Sequence, residues 1–175
     1  IDSSVVAYLA ARALGPERTY IYLLPTDVTP PADVEDALKV IKRLNIPDGN
    51  WETVRLDEVI KAFEGILGKA ANLERGNIAA RTRMIILHNK AAIHKGLVIG
   101  TGDKSEMMMG YFTKYGDAGV DILPIAGLYK TQVRQVAAYL GVPEGIIQKP
   151  PSPNLWPGQT AEGELGIDYE TLDTI

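Results

Sequence analysis

The 175-residue sequence contains no cysteine, and this absence removes several kinds of chemistry. Without a thiol, these residues can form no disulfide, hold no metal through thiolates and supply no cysteine nucleophile or persulfide carrier. Histidine is almost as scarce, since only His88 and His94 are present. They lie six residues apart in a segment of helical periodicity and would face different sides of that helix. We therefore expect no zinc site.

The sequence also lacks a large excess of charge of either sign and any long apolar run. Its 18 basic and 22 acidic side chains give a formal net charge of -4, which offers no electrostatic reason for binding nucleic acid. No stretch approaches the roughly 20 apolar residues of a membrane span, and no signal-peptide pattern is present. We expect a cytoplasmic protein with neither a nucleic-acid nor a membrane partner.

What is present is a globular composition with alternating patterns. Hydrophobic residues make up 46% of the chain, and 175 residues are enough for one domain with a substantial core. Apolar, β-branched and aromatic runs predict strands within 18–25, 51–56 and 96–102, and helical spacing predicts helices within 3–14, 30–47, 57–68, 73–95 and 131–140. This alternation predicts an α/β fold with a parallel sheet, helices on both faces and ligands beyond the carboxyl ends of the strands.

One segment stands apart from this alternation. Residues 148–166 are rich in proline, glycine and polar side chains, which predicts a long mobile loop of the kind that often forms a lid.

The segment GTGDKSE, residues 100–106, follows the third predicted strand. Asp103, Lys104, Ser105 and Glu106 crowd a carboxylate, an ammonium and hydroxyl groups at the end of that strand, which suits a magnesium–nucleotide complex. The G-x-G pair alone is a weak signal, because Ser105 stands where the dinucleotide fingerprint needs a third glycine. Taken in isolation, a turn with a helix N-cap explains the segment better.

Three further places carry candidate binding residues. Asp2 and Ser3 precede an apolar helical pattern and are either helix caps or half of a phosphate site. Lys114 lies among aromatic residues, which suits a flat charged ligand, although core rings and solvated charges would give the same pattern. Lys130 stands at a predicted helix start whose free amides attract anions, but it could equally be a surface residue.

Seven segments together resemble the NAD synthetases in order and spacing: IDSS, GNIAARTRM, GTGDKSE, GYFTKYGD, LYKTQV, KPPSPNLWPGQT and ELGIDYETLD. The resemblance covers essentially the whole chain, and the set is far more specific than any one motif. It implies a three-layer α/β sandwich around a mainly parallel sheet, of the adenine nucleotide α-hydrolase-like, Rossmann-like type found in the N-type ATP pyrophosphatases.

The phosphate loop of that superfamily reads S-G-G-x-D-S. The sequence enters this motif one residue before its aspartate, and the basic tail usual in the family lies outside it. We expect residues 1–175 to be a single ATP pyrophosphatase domain without the start of its phosphate loop and without its C-terminal tail.

The resemblance implies amidation of deamido-NAD in two steps. The nicotinate carboxylate attacks the α-phosphorus of ATP to give an adenylate and pyrophosphate, and ammonia then displaces AMP. Adenylation is needed because a carboxylate is a poor electrophile, so the protein has to position the reactants and neutralise charge. The family also implies Mg²⁺ as cofactor, ATP as co-substrate and a homodimer with the long helices at its interface.

Matching the family motifs residue by residue implies a set of site residues. Asp2 and Glu106 match Mg²⁺ ligands. The positions that match ATP contacts are Ser3, Thr101, Lys130 and Ser152. The positions that match deamido-NAD contacts are Arg81, Lys114 and Asp121. Arg81 also shares one stripe of the long predicted helix with Asn77, Met84 and His88, and that stripe could be polar surface or a subunit contact.

Several alternatives stay open at this point. Transfer-RNA thiolating enzymes with the same phosphate loop use cysteines and a basic face, which this sequence lacks. GMP and asparagine synthetases remain possible on fold grounds, although their counterparts do not resemble GYFTKYGD. A non-catalytic nucleotide-binding module would need neither Glu106 nor Lys130. The nitrogen source could be ammonia, which we expect, or glutamine supplied through a separate glutaminase domain.

Overall fold

The computed structural model describes residues 1–175, in which two short strands alternate with the first three helices and only helices follow as named elements. The elements are α1 (Asp2–Leu14), β1 (Ile21–Leu23), α2 (Pro31–Arg43), β2 (Trp51–Thr53), α3 (Asp57–Leu67), α4 (Asn72–His94), α5 (Lys104–Met109), α6 (Lys130–Leu140), α7 (Glu144–Ile147), α8 (Ala161–Leu165) and α9 (Tyr169–Leu172). The five long helices lie where the periodicity predicts them. None of the helices has the length and apolar character needed to cross a membrane.

The sheet consists of β1 and β2, which pair in parallel with Ile21 opposite Trp51 and Leu23 opposite Thr53. Alternate side chains of a strand point to opposite faces. Leu23 accordingly packs into a cluster with α2, whereas Leu24 packs into one with α3 and α4. Helices therefore cover both faces, and the predicted α/β class with parallel pairing is confirmed, although both strands are shorter than the apolar runs that predict them.

The third predicted strand, at 96–102, is reduced to one parallel bridge between Ile99 and Ile122. The Val98 amide donates to the carboxylate of Asp121 at 2.8 Å, so a side chain takes a place that a strand carbonyl would fill. The glycine turn that begins at residue 100 then ends the pairing. The prediction of a full strand is therefore wrong in extent, although the parallel direction is right.

The proline-rich segment that begins at residue 148 is attached to α2. The Lys149 ammonium lies 2.7 Å from Asp33 and 2.5 Å from Asp36, and the Asn154 amide donates to Asp33 at 2.6 Å. The prediction of one uninterrupted loop over 148–166 is wrong at its end, because the Thr160 side chain caps the short helix α8.

The largest buried cluster lies between α1 and α6. Val5, Ile125 and Val133 are fully buried in it. Burying a valine or isoleucine side chain contributes roughly 1.5–3 kcal/mol, so this packing holds the two helices firmly against each other. The packing brings the first residues of the two helices together, and these are Asp2 and Lys130.

Candidate active site

Three carboxylates converge on the ammonium group of Lys130. Its Nζ atom lies 2.8 Å from Asp2 Oδ2, 2.8 Å from Asp103 Oδ2 and 2.9 Å from Glu106 Oε1. The side chains of Lys130 and Asp103 are fully buried, whereas Asp2 and Glu106 keep 21% and 20% of their surface exposed. These four residues form what we call the Lys130 cluster. When all four are ionised, it carries more negative than positive charge.

The start of α5 orients two of the three carboxylates. Asp103 is the N-cap of this helix, and its Oδ1 accepts from the Glu106 amide at 2.8 Å. Glu106 Oε2 in turn accepts from the Asp103 amide at 3.2 Å, which completes a capping box. Each carboxylate thus uses one oxygen for the cap and presents the other to Lys130.

The C-terminal segment holds α5 and α6 in register. Asp173 Oδ2 accepts from the Thr131 amide and hydroxyl, each at 2.8 Å, and Oδ1 accepts from the Ser105 hydroxyl at 2.5 Å. The Ser105 oxygen accepts in turn from the Lys130 amide at 3.0 Å. One carboxylate therefore bridges the first turns of the two helices that carry Glu106 and Lys130.

Burial and mutual charge shift the pKa values within the cluster. Burial disfavours the Lys130 ammonium, but the charges of Asp2, Glu106 and Asp103 outweigh it and raise the pKa of the lysine. Burial raises the pKa of Glu106 to about 7; Lys130 opposes this rise, and the neighbouring carboxylates add to it. Burial also raises the pKa of Asp103, despite the attraction of Lys130. Added positive charge would therefore favour the ionised carboxylates.

The donor set of the cluster fits Mg²⁺. Asp2 Oδ1 is buried and has no hydrogen-bond partner, so it is an oxygen that a cation can take up. Mg²⁺ is usually held by one or two carboxylates, with substrate phosphates and water completing its coordination. Asp2 and Glu106 would supply two. No group of three or more side chains is arranged as a metal site of protein ligands alone.

The side chains at the start of α1 do not cap the helix. The helix begins at Asp2, and no side chain accepts a hydrogen bond from its first turn. The interpretation of Asp2 and Ser3 as caps is therefore wrong. The Asp2 carboxylate instead accepts a hydrogen bond from the Lys130 ammonium, and Ser3 lines a cavity.

This cavity lies at the carboxyl end of β1 and has a volume of about 280 Å³. We call it the β1 cavity. Its polar wall is supplied by three helices (α1, α2 and α4), the segment after β1 and the proline-rich segment, through Ser3, Ser4, Asp33, Arg83, Thr29 and Asn154. Its place beyond a strand end agrees with the general rule for ligand sites in open α/β sheets.

Of the four predicted ATP contacts, only Ser3 lines the β1 cavity, since Lys130 lies in the Lys130 cluster and Thr101 and Ser152 lie in turns. Thr101 is half-buried in the glycine turn that precedes α5. The Ser152 hydroxyl donates to the Gln159 carbonyl oxygen at 2.6 Å and accepts from the Asn154 amide at 3.1 Å. Ser152 thus shapes the turn that brings Asn154 into the cavity wall.

The stripe of α4 formed by Asn77, Arg81, Met84 and His88 contacts a loop of the same chain. Loop 113–121 lies against this stripe, so the contact is intramolecular. Three hydrogen bonds join the loop to the helix: Thr113 Oγ1 to Asn77 Oδ1 at 2.8 Å, Arg81 Nε to the Lys114 carbonyl oxygen at 3.2 Å, and His88 Nε2 to the Gly119 carbonyl oxygen at 2.9 Å. Met84 packs closely against the loop, because a Cβ added at Gly119 would lie 3.1 Å from its side chain.

The predicted deamido-NAD residues are only partly brought together. Arg81 contacts the backbone of Lys114, and the Lys114 ammonium lies 5.1 Å from the centre of the Tyr115 ring. Asp121 lies at the far end of the same loop, where its carboxylate accepts from the Val98 amide. Asp121 is a predicted deamido-NAD contact, but one of its carboxylate oxygens is used in this bond to the backbone.

Three residues at this site, Arg83, Tyr169 and Asp173, are not among the predicted contacts. Asp103 is predicted only as part of the GTGDKSE turn, and its D-x-x-E spacing with Glu106 is a capping-box signal that gives it a more definite place. Arg83 follows Arg81 by two residues, which places it on the opposite side of α4. Asp173 and Tyr169 lie in ELGIDYETLD. Tyr169 is fully buried, its ring lies 5.2 Å from Lys130 Nζ, and its hydroxyl has no hydrogen-bond partner.

Comparison with known proteins identifies the family of this chain. A family model described as NAD synthase matches residues 1–175. The chain belongs to the NAD synthase family. It is 55% identical over 175 residues to the NH(3)-dependent NAD(+) synthetase of Sulfurisphaera tokodaii, and 49% identical over 176 residues to that of Archaeoglobus fulgidus. The match takes in all of this chain and 62% and 70% of those relatives.

Solved structures of the NAD synthase family have the same fold. The chain resembles the NMN synthetase from Francisella tularensis with a TM-score of 0.91 and 39% identity, over 98% of this chain and 71% of that one. It resembles the NH3-dependent NAD synthetase from Campylobacter jejuni with a TM-score of 0.79 and 37% identity, over 85% of this chain and 63% of that one. The predicted adenine nucleotide α-hydrolase-like fold is confirmed.

Proposed function

We propose that the protein containing this chain is an NAD synthetase that amidates deamido-NAD with ammonia and releases AMP and pyrophosphate from ATP. The observation that carries this proposal is the Lys130 cluster, which stands at the starts of α1, α5 and α6. A module that only bound adenosine would need neither a buried ammonium nor carboxylates able to take up a divalent cation. Family membership supports the same chemistry.

In the first step, the nicotinate carboxylate attacks the α-phosphorus of ATP, the bond to pyrophosphate breaks, and an acyl adenylate forms. Negative charge builds up on the leaving pyrophosphate, and Lys130 is the cation placed to meet it. Ser3 stands at the start of α1, where free amides and the helix dipole favour phosphate. We assign Thr101 and Ser152 to ATP as well, Ser152 through the turn that carries Asn154.

Asp2 and Glu106 would hold Mg²⁺, which when bound supplies positive charge for the polyphosphate. The Lys130 ammonium now lies between these two carboxylates and balances part of their charge. Asp103 differs from them because it is fully buried together with Lys130. We infer that Asp103 keeps Lys130 in place while Asp2 and Glu106 engage the cation.

In the second step, ammonia attacks the acyl carbon, the new C–N bond forms and AMP leaves. We assign Arg81, Lys114 and Asp121 to deamido-NAD. Arg81 and Lys114 lie side by side on α4 and the 113–121 loop, and two positive charges there suit the pyrophosphate of a dinucleotide. The names of the curated relatives, which specify NH(3) dependence, support ammonia as the nitrogen donor. We place the reaction in the cytoplasm.

A second candidate acceptor is the mononucleotide counterpart of deamido-NAD, nicotinate mononucleotide. The specific observation in its favour is the TM-score of 0.91 with the NMN synthetase from Francisella tularensis. The chemistry at the carboxylate would be unchanged. Only the contacts to the second nucleotide would be lost, so the 113–121 loop would separate the two acceptors.

We further propose a homodimer in which α4 forms the interface. Apolar side chains of α4 are exposed along its length: Leu73 is 60%, Ile85 56% and Ile93 64% exposed. Ile85 lies at the middle of the helix, where a second copy of α4 could cover it. Replacing Ile85 with glutamate should convert a dimer, measured by light scattering after gel filtration, into a monomer, whereas an unchanged mass would exclude this surface.

The function is tested on the full-length protein with ATP, Mg²⁺ and ammonium. Deamido-NAD and nicotinate mononucleotide are supplied in separate reactions, and NAD, NMN, AMP and pyrophosphate are quantified. We expect NAD, AMP and pyrophosphate in equal amounts from deamido-NAD. Absence of both amide products would overturn the proposal, and NMN as the dominant product would favour the second candidate.

A further inference from the structure

Arg83 extends from α4 to the wall of the β1 cavity. Its Nε atom donates to the Leu24 carbonyl oxygen at 3.1 Å, and the residue lines the cavity together with Ser3 and Ser4. Arg81 lies two residues earlier, and a helix turns through about 200° over two residues. The two arginines therefore point to opposite sides of α4, and only Arg83 reaches this cavity.

The Arg83 guanidinium is a half-buried cation without a counter-ion. None of the ion pairs in the structure involves it, and its hydrogen bond through Nε leaves both terminal amino groups without a partner. Asp117 is the carboxylate whose charge acts on it, but Asp117 accepts from the Thr113 amide and does not form an ion pair with Arg83. The two terminal amino groups of Arg83 are therefore free to donate to an anionic ligand.

The lining of the β1 cavity includes further donors. The hydroxyls of Ser3 and Ser4 make no hydrogen bond within the chain, and they belong to the first turn of a 13-residue helix whose initial amides are free. A guanidinium presents a flat fork of donors that matches the oxygens of a phosphate group. A forked cation facing hydroxyls and a helix start is suited to a phosphate.

We propose that Arg83 is a binding residue for ATP and that its terminal amino groups donate to a phosphate oxygen of the nucleotide in the β1 cavity. The Leu24 carbonyl oxygen holds the guanidinium in orientation, so little side-chain freedom is lost on binding. This inference rests on the proposed function in one respect, which is that the nucleotide of this cavity is ATP.

A purely structural role makes a different prediction. If Arg83 only tied α4 to the end of β1 through Leu24, its replacement would lower the melting temperature and leave nucleotide affinity unchanged. ATP affinity measured without an acceptor therefore separates the two roles.

The test compares Arg83→Gln, Arg83→Lys and a control, Arg55→Gln, in the full-length protein. Arg55 is an exposed arginine paired with Asp57. Calorimetric titration with ATP should show at least tenfold weaker binding for Arg83→Gln, partial recovery for Arg83→Lys, and no change for the control. Pyrophosphate used as the probe should follow ATP, and the dissociation constant of deamido-NAD should change less than twofold. Unchanged ATP affinity in Arg83→Gln would overturn the proposal.

A second measurement, made on the wild-type protein, tests the proposal even if Arg83→Gln fails to fold. Phenylglyoxal modifies free guanidinium groups, and peptide mass spectrometry of the wild-type protein shows which arginines have reacted. ATP should protect Arg83, and deamido-NAD alone should not; no protection by ATP would refute the proposal. If ATP protects Arg83 but no amide product forms in the activity assay, the proposed function fails and the assignment of Arg83 stands.

Discussion

The Lys130 cluster and the 113–121 loop both supply charged side chains to the proposed reaction, but they are built in opposite ways. Lys130 is fully buried, and its ammonium group contacts three carboxylates. Lys114 is exposed, and its ammonium group has only the Tyr115 ring beside it. A buried charge has to be paired to be tolerated, whereas a solvated one does not.

This contrast separates two demands of the chemistry. The groups that face the breaking phosphorus bond have to be held rigidly, because preorganised charge is what lowers the barrier. The groups that recognise deamido-NAD can remain solvated until the substrate arrives. Removing the ammonium at the centre of the Lys130 cluster should therefore damage stability and turnover together, and changes in the loop should alter substrate affinity alone.

The largest effect is expected for Lys130→Met. Removing the ammonium leaves three clustered carboxylates without their cation, so we expect a loss of roughly 3–5 kcal/mol in the free energy of unfolding. Turnover should fall by at least about 100-fold, because the charge facing pyrophosphate is gone. Urea denaturation and steady-state assays measure both. Arg134→Met is the control on the same helix, since its exposed ion pair with Glu170 should cost less than about 1 kcal/mol. Equal losses in the two variants would contradict the contrast.

Glu106→Gln should separate metal binding from stability. Glutamine keeps an oxygen for the capping box with Asp103 but removes the charge that would hold Mg²⁺. We expect kcat to fall at least about tenfold, with a small change in deamido-NAD affinity and a higher Mg²⁺ requirement. Full activity at low Mg²⁺ would show that the metal assignment is wrong.

Asp173→Ala tests the bridge between α5 and α6. The change leaves the Thr131 amide and the Ser105 hydroxyl without their acceptor, which should cost about 1–3 kcal/mol of unfolding free energy. Thr131, which Asp173 holds, is the residue next to Lys130. The change should therefore displace Lys130, and kcat should fall by a larger factor than the KM for deamido-NAD rises. Asp173→Asn, which keeps one acceptor oxygen, should recover part of the turnover. A loss of stability with unchanged kcat would limit Asp173 to a structural role.

The smallest effect is expected for Lys114→Ala. The side chain is exposed and makes no ion pair, so the free energy of unfolding should change by less than about 0.5 kcal/mol. The KM for deamido-NAD should rise about three- to fivefold, with the KM for ATP unchanged. An effect confined to ATP would remove Lys114 from the acceptor site.

The helices and the family could be predicted from sequence because both depend on local order. Apolar residues at helical spacing predicted the five long helices, and the glycines at 15, 68 and 141 mark the ends of three of them. The strands were predicted less well. An apolar run indicates burial, but the length of a strand depends on a partner elsewhere in the chain, as the single bridge between Ile99 and Ile122 shows.

The site could be predicted only as a set of residue names. Matched motifs brought Asp2, Glu106 and Lys130 into one list, but the sequence contains no sign that Lys130 is buried between the two acids. Asp121 shows the reverse case, since it was named as a binding residue and its carboxylate supports the backbone at Val98.

By itself, the sequence determined the helices, the α/β class and the family, because helical periodicity and ordered motifs act over short stretches of chain. Only the tertiary structure decided that Lys130 contacts Asp2 across 128 positions, and that Arg83 rather than Arg81 reaches the β1 cavity. The physical reason is that contacts between distant residues follow from how α1, α4 and α6 pack. Two arginines two positions apart look equivalent in the sequence until a sheet lies against one face of their helix.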